Sequence, residues 1–286
     1  MRLYLSRSSA FVQKTLGTAR KSTQNGASFL RRKVANQQSV AWKRARDFGP
    51  YDVINLDLCD GFGAQPTDVI ENTHYSAISS LLSLQARSKH PWLMLLTTRA
   101  GHEFLHADVR NTLIGCYREN LADCAAFLRA SRECFAVGTN ADVDAAVGEP
   151  VGMLHVSLVG ICKWFIGLTC AQQPPSKVDV RSAIGYRVHP AAACEDLMSL
   201  AIRIEPTFIP VGDRMGLARR RATPPPDECL LAERALRRVF KRKDADALLA
   251  SKPALWEQMV NQTAALLELA RYDPAAFREW LVQPVA

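Results

Sequence analysis

Apolar positions along the chain change period several times, and each change marks an element. Residues 1–40 keep no sustained period and are rich in Ser, Gln, Asn and Gly. From Gln37 to Asp47 the spacing turns helical and halts at Phe48-Gly49-Pro50, where glycine and proline end a helix. An apolar run over 52–58 predicts a strand. Val69–Lys89 then carries Ile70, Tyr75, Ile78, Leu81, Leu82 and Leu84 at helical spacing. Pro91–Thr98 is almost wholly apolar, as strands covered on both faces are. His102–Arg129 predicts a second long helix, and Glu133–Val137 either a short strand or a connection. Val151–Ala171 is an apolar helix stopped by Pro174-Pro175. Leu197–Val211 alternates and breaks at Pro206, which predicts two antiparallel strands joined at Glu205-Pro206. Beyond Pro224-Pro225-Pro226 the pattern is helical, with Trp256, Leu266, Leu267, Leu269, Phe277 and Trp280 in core positions.

Strand, helix, strand, helix with such apolar strands predicts an α/β fold. The expected form is a Rossmann-like, mostly parallel sheet with a late antiparallel strand pair and a helical C-terminal tail. The corresponding divisions are a basic arm over 1–46, an α/β domain over 47–215 and a helical region over 216–286. No apolar stretch reaches the length of a membrane span without a charge. The nearest, Val151–Cys170, contains His155 and Lys163 and reads as a buried helix. No internal repeat is visible.

The first strand ends in Asn55-Leu56-Asp57-Leu58-Cys59-Asp60-Gly61-Phe62-Gly63. An open α/β sheet builds its ligand crevice at the carboxyl ends of its strands, so Asn55, Asp57 and Asp60 are the candidate catalytic residues. Two carboxylates at a strand tip accept hydrogen bonds from an amine or a ribose, or ligate a hard cation. Their mutual repulsion would raise one pKa and suit general-base work. The alternative is that they cap the next helix or bond their own turn.

Charge sharpens the organisation. The net charge is +8, yet residues 1–50 hold 11 Lys and Arg against the single acid Asp47, so the rest is slightly acidic. Such an arm suits a polyanion, nucleic acid or an acidic membrane surface. Its alternatives are an organellar transit peptide or a solvated extension. Candidate nucleic-acid contacts are Arg31, Arg32, Lys33, Lys43, Arg44 and Arg46. A second set, Arg238, Lys241 and Arg242, falls on one face of a predicted helix with Arg234 and Arg237. A plain solvated face accounts for that spacing equally well.

The Tyr51-Asp52-Val53-Ile54-Asn55-Leu56-Asp57 segment, with the helix, strand, helix and antiparallel pair that follow, resembles the second half of a Rossmann-like S-adenosylmethionine-dependent methyltransferase. Locally it is similar to the strand tip of tRNA guanine dimethyltransferases, in which the final acid and a Pro-aromatic pair hold the amine to be methylated. The resemblance implies that Asp57 is that acid, that S-adenosylmethionine is the cofactor and that nucleic acid is the partner. It covers roughly residues 50–215. Leu58 and Cys59 occupy the Pro-aromatic positions. The glycine-rich cofactor loop after a first strand is absent, and the only close glycine pair, Gly61 and Gly63, follows the wrong strand. A degenerate or truncated enzyme is therefore expected ahead of an active one. The same Val-Ile-Asn-Leu-Asp-Leu-Cys-Asp-Gly-Phe block is similar to one in a group of bacterial proteins, which adds no activity.

Two further classes compete: a non-catalytic scaffold of a multi-protein assembly, with a protein partner, and a zinc hydrolase. The latter rests on His102-Glu103-Phe104-Leu105-His106, which matches HExxH, with Glu119 or Glu133 as a third ligand. Its alternative is a polar first helical turn with Glu103 near the helix dipole. Lys163 lies mid-helix and is expected to snorkel. Cys59, beside two acids, is a poor nucleophile. The eight cysteines include no CxxC, which predicts buried thiols in a reducing cytoplasm.

Overall fold

The computed structural model describes residues 3–6, 38–58, 61–65, 73–188, 192–207, 215, 217 and 225–282. The chain forms two compact units, Met1–Arg242 and Lys243–Ala286. The first is α/β. Its strands are β1 (Leu3–Ser6), β2 (Val53–Leu58), β3 (Trp92–Arg99), β4 (Ser176–Tyr186) and β5 (Leu197–Pro206), in the spatial order β1-β2-β3-β5-β4. Among the described residues, β2 and β3 pair in parallel, with Asp57 opposite Thr97. The β1–β2, β3–β5 and β4–β5 pairs are antiparallel. The helices are α1 (Val40–Phe48), α2 (His74–Gln85), α3 (Ala107–Asp123), α4 (Ala125–Phe135), α5 (Asn140–Val147), α6 (Pro150–Cys170) and α7 (Glu228–Phe240).

Alternation along the strands divides the sheet into two unlike faces. Ile54, Leu56, Trp92, Met94, Leu96, Leu200 and Ile202 join the helices in one core. Their neighbours Val53, Asn55, Asp57, Leu93, Leu95, Thr97 and Ser199 lie on the opposite face and are only partly covered. The central helix α6 is the one described helix long and apolar enough to cross a membrane, and most of it is buried in this core. It begins with Pro150 in the first turn, where a missing N–H costs nothing.

The start of β2 is clamped by a side chain acting as backbone. Gln85, fully buried, accepts from the Tyr51 N–H at 2.7 Å and donates to the Tyr51 carbonyl at 2.7 Å. The Tyr51 hydroxyl donates to the Ala45 carbonyl at 2.8 Å, which joins α1 to the sheet. So α1 is a packed helix, with Trp42 and Ala45 buried, and the arm expected over 1–46 is not wholly an appendage. Within that arm, β1 pairs with β2.

Several expectations are corrected. The helix expected over 102–129 is a single 3-10 turn at His102–Phe104, then α3, then a break at Cys124 and α4. Glu133–Val137 is no strand, because α4 runs to Phe135 and Ala136 closes it in the left-handed region at φ 56°. The antiparallel pair is β4 with β5, and Pro206 ends β5 where it was expected to join two strands. The expected start of the helical region at 216 lies outside the described residues; Leu231, Ala232, Ala235, Leu236 and Val239 of α7 belong to the first unit's core, and the two units divide after Arg242. Cysteines are not all thiols, since Cys124 and Cys229 form a disulfide with Cα atoms 5.6 Å apart.

The second unit contains α8 (Ala245–Ala250), α9 (Pro253–Leu269) and α10 (Pro274–Val282). Helices α9 and α10 pack together, Arg278 donates to Asn261 Oδ1 at 2.8 Å, and Val260, Leu267, Phe277 and Leu281 are half-buried. Only Ala264 is fully buried, so Trp256, Leu266, Leu269 and Trp280 are not core residues as expected.

A candidate site at the carboxyl rim of the parallel pair

Asp57 stands at the end of β2 on the partly covered face. The register places it beside Thr97, and Thr97 beside Ser199, so a carboxylate and two hydroxyls form one row across three strands. Asn55 lies one step back, level with Leu95 and Ala201. Among the described residues, the Asp57 side chain makes no hydrogen bond and no ion pair. Asp60 lies outside the described residues, so a carboxylate pair is not defined by this geometry.

Arg99 follows Thr97 on the same face. Its guanidinium sits 4.6 Å over the Phe104 ring and 3.7 Å from Asp196. Asp196, just ahead of β5, is buried, and the sequence does not announce it. One of its oxygens accepts the Val188 N–H at 2.5 Å, while Oδ2 has no hydrogen bond. Antiparallel insertion of β5 next to β3 is what carries Asp196 to Arg99, and its carbonyl also accepts from the Ala100 N–H at 3.3 Å. A buried carboxylate oxygen without a donor is costly, and it has capacity for one more N–H or O–H.

The loop after β2 is built for packing. Gly61 adopts φ 93°, a conformation that side chains rarely take. A Cβ on Gly63 would fall 2.2 Å from Leu105 Cδ2. Between them Phe62 is buried: its N–H donates to Thr98 Oγ1 at 2.5 Å, and its carbonyl accepts from Tyr75 at 2.8 Å and from His74 Nε2 at 2.6 Å. The Phe62 ring packs edge-on to Tyr75 and Trp164, at 5.4 and 5.3 Å. Burial pushes the Tyr75 phenol well above its ordinary pKa, so it stays a donor. These glycines thus make a tight turn against Leu105 and are no phosphate cradle. Among the described residues this loop packs inward through Phe62 and forms no glycine-rich bed of the kind that the resemblance implies for S-adenosylmethionine.

The HExxH residues do not lie on one α-helix, and the His102 side chain is outside those described. His102 belongs to a 3-10 turn and His106 is the N-cap of α3, so the two do not share a face of one α-helix. His106 is paired with Asp108 at 3.2 Å, and no group of three potential ligands is present among the described residues. Lys163 is ion-paired with Glu228.

The basic candidates divide. Arg31, Arg32 and Lys33 lie outside the described residues. Lys43 and Arg44 are exposed on α1, and Arg46 lies 3.8 Å from Asp47. Arg46 and Arg87 also border a cavity of about 330 Å³ lined by Ser79, Ser80 and Ser83 of α2. On α7, Arg238 and Lys241 are exposed. Arg242 is not a phosphate contact: it grips Glu195 and donates to His155 Nε2 at 2.6 Å. Arg237 is likewise held by Glu133 and Glu233.

The fold and rim thus define an α/β protein with one parallel strand–helix–strand unit and an acidic strand tip. A family model described as PP_RS20740-like matches residues 13–282, and the chain belongs to that family. Comparison with curated proteins gives no match, and comparison with solved structures gives none.

Proposed function

We propose that the protein is a methyltransferase-like, nucleic-acid-associated binding protein that keeps the substrate-holding strand tip and works without the cofactor. The carrying observation is Asp57, a partly exposed carboxylate with no side-chain partner among the described residues, in one row with Thr97 and Ser199 at the carboxyl rim of the β2–β3 parallel pair. That row offers acceptors to a base amine or a ribose hydroxyl. Lys43, Arg44 and Arg87 supply charge for a phosphate backbone, which steers binding and makes it salt-dependent. Both resemblance-bearing features, the parallel unit and the late antiparallel pair, support this reading. The Gly61–Gly63 turn, packed against Leu105, supports the cofactor-free reading. A cytoplasmic setting belongs to the same proposal.

The test is oligonucleotide binding by fluorescence anisotropy at two salt concentrations, with calorimetry against S-adenosylmethionine. Salt-dependent binding that Asp57→Asn weakens for amine-bearing bases, with no heat from the cofactor, is the expected result. Absence of oligonucleotide binding at low salt would overturn the reading in favour of the scaffold, which the exposed apolar helices of the C-terminal unit support. A calorimetric signal with S-adenosylmethionine would overturn the cofactor-free part.

A further inference from the structure

The second unit has too little interior for its apolar content. Helix α9 exposes Trp256, Met259, Thr263 and Leu266, at successive spacings of three, four and three residues. That is the a/d repeat by which one helix seats its side chains between those of another. The stripe is distinct from the more covered positions Val260, Ala264 and Leu267. Trp256 is 44% exposed, Met259 45%, Leu266 66%, and Trp280 on α10 65%. From the size of such side chains, these four together expose on the order of 500 Å² of mostly apolar surface. That is more than half of the roughly 800 Å² that each partner buries in a stable interface.

Charge decides between occupants. Residues 243–286 hold four basic and six acidic side chains, so the unit repels nucleic acid and anionic lipid, and it lacks the lysine-rich polar face of a membrane-surface helix. A surface with small net charge and an a/d seam is compatible with its own copy, and a two-fold axis lets one stripe serve both sides. We infer that α9 and α10 form a homodimerisation hairpin, two copies closing a four-helix bundle along the Trp256–Leu266 seam. Tryptophan is among the side chains most often found carrying binding energy at an interface, and Trp256 opens this seam.

The experiment is sedimentation equilibrium on the full chain, with Leu266→Glu and Trp256→Ser as seam variants and Ala265→Glu as a control on the opposite side of α9. The expected result is a dimer that each seam variant weakens roughly 30-fold or more, with unchanged far-ultraviolet circular dichroism and an unaffected control. A full chain that stays monomeric at high micromolar concentration overturns the inference. So does a dimer that both seam variants leave intact.

Discussion

Arg242 donates to both carboxylate oxygens of Glu195, at 3.0 and 3.3 Å, where Glu195 is almost entirely enclosed. Removing one member of such a pair strands the other charge away from water, which costs about 3–5 kcal/mol. Arg242→Ala should therefore lower the thermal unfolding midpoint sharply, and Glu195→Gln should lower it less. If Arg242→Ala melts like the parent protein, the pair contributes nothing to the fold.

His155 stacks on Phe135 with ring centroids 4.5 Å apart and accepts from Arg242 through Nε2. Burial first, and then the Arg242 charge, hold its pKa down at about 4, against Glu195 pulling the other way. A depressed folded pKa means that the unfolded chain takes up the proton first. Stability from the neutral imidazole is therefore complete above about pH 6.5 and is lost as pH falls toward 4. The loss should be on the order of 1–3 kcal/mol across that window. His155→Gln keeps an acceptor for Arg242 without the titration, so denaturant titrations from pH 7 to 4 should show a flatter slope in the variant. Parallel slopes would sink this assignment.

How far the chain could be read from its pattern depended on whether a period survived intact. Strands β2 and β3 and helix α6 were legible because each keeps one period from end to end. Strand β4 was not: a register irregularity between Val180 and Ser182 shifts its alternation, so Val178 and Val180 are followed by Ala183 in place of a residue at 182. An amphipathic stripe has the same spacing against its own core or a second chain, which is why Trp256 and Leu266 read as interior. At the site, Asp57 was visible as an acid after an apolar run. Asp196 was invisible because its meeting with Arg99 depends on β5 inserting beside β3. Nor could spacing disclose that Arg242 is internal, since a helical face of arginines looks alike whether it meets phosphate or a buried glutamate.

The Cys124–Cys229 disulfide spans 105 residues and ties the α3–α4 junction to the first turn of α7. Closing so long a loop restricts the unfolded chain and stabilises the folded one by about 2–5 kcal/mol. A reductant should lower the thermal midpoint of the parent protein, and Cys124→Ser with Cys229→Ser should reproduce that fall and abolish the response. A reductant-sensitive double variant would point to the other cysteines.

Asp57 and Thr98 lie almost side by side on the paired strands, on opposite faces, and should respond to mutation in opposite ways. Thr98 is buried, and its hydroxyl oxygen is the acceptor for the Phe62 N–H. Thr98→Val keeps the shape and removes the acceptor, which leaves a buried donor unmet at a cost of about 1–3 kcal/mol. Asp57 has no side-chain partner among the described residues, so Asp57→Asn should change stability by no more than about 0.5 kcal/mol in either direction. Its effect should appear in oligonucleotide affinity alone. Urea unfolding of both variants, paired with anisotropy titrations, separates the two behaviours: a group committed to the fold shifts the unfolding midpoint, and a group kept free for a ligand shifts only binding. A large stability loss in Asp57→Asn would show that the strand-tip carboxylate is structural, and the rim would then lose its claim to be a binding site.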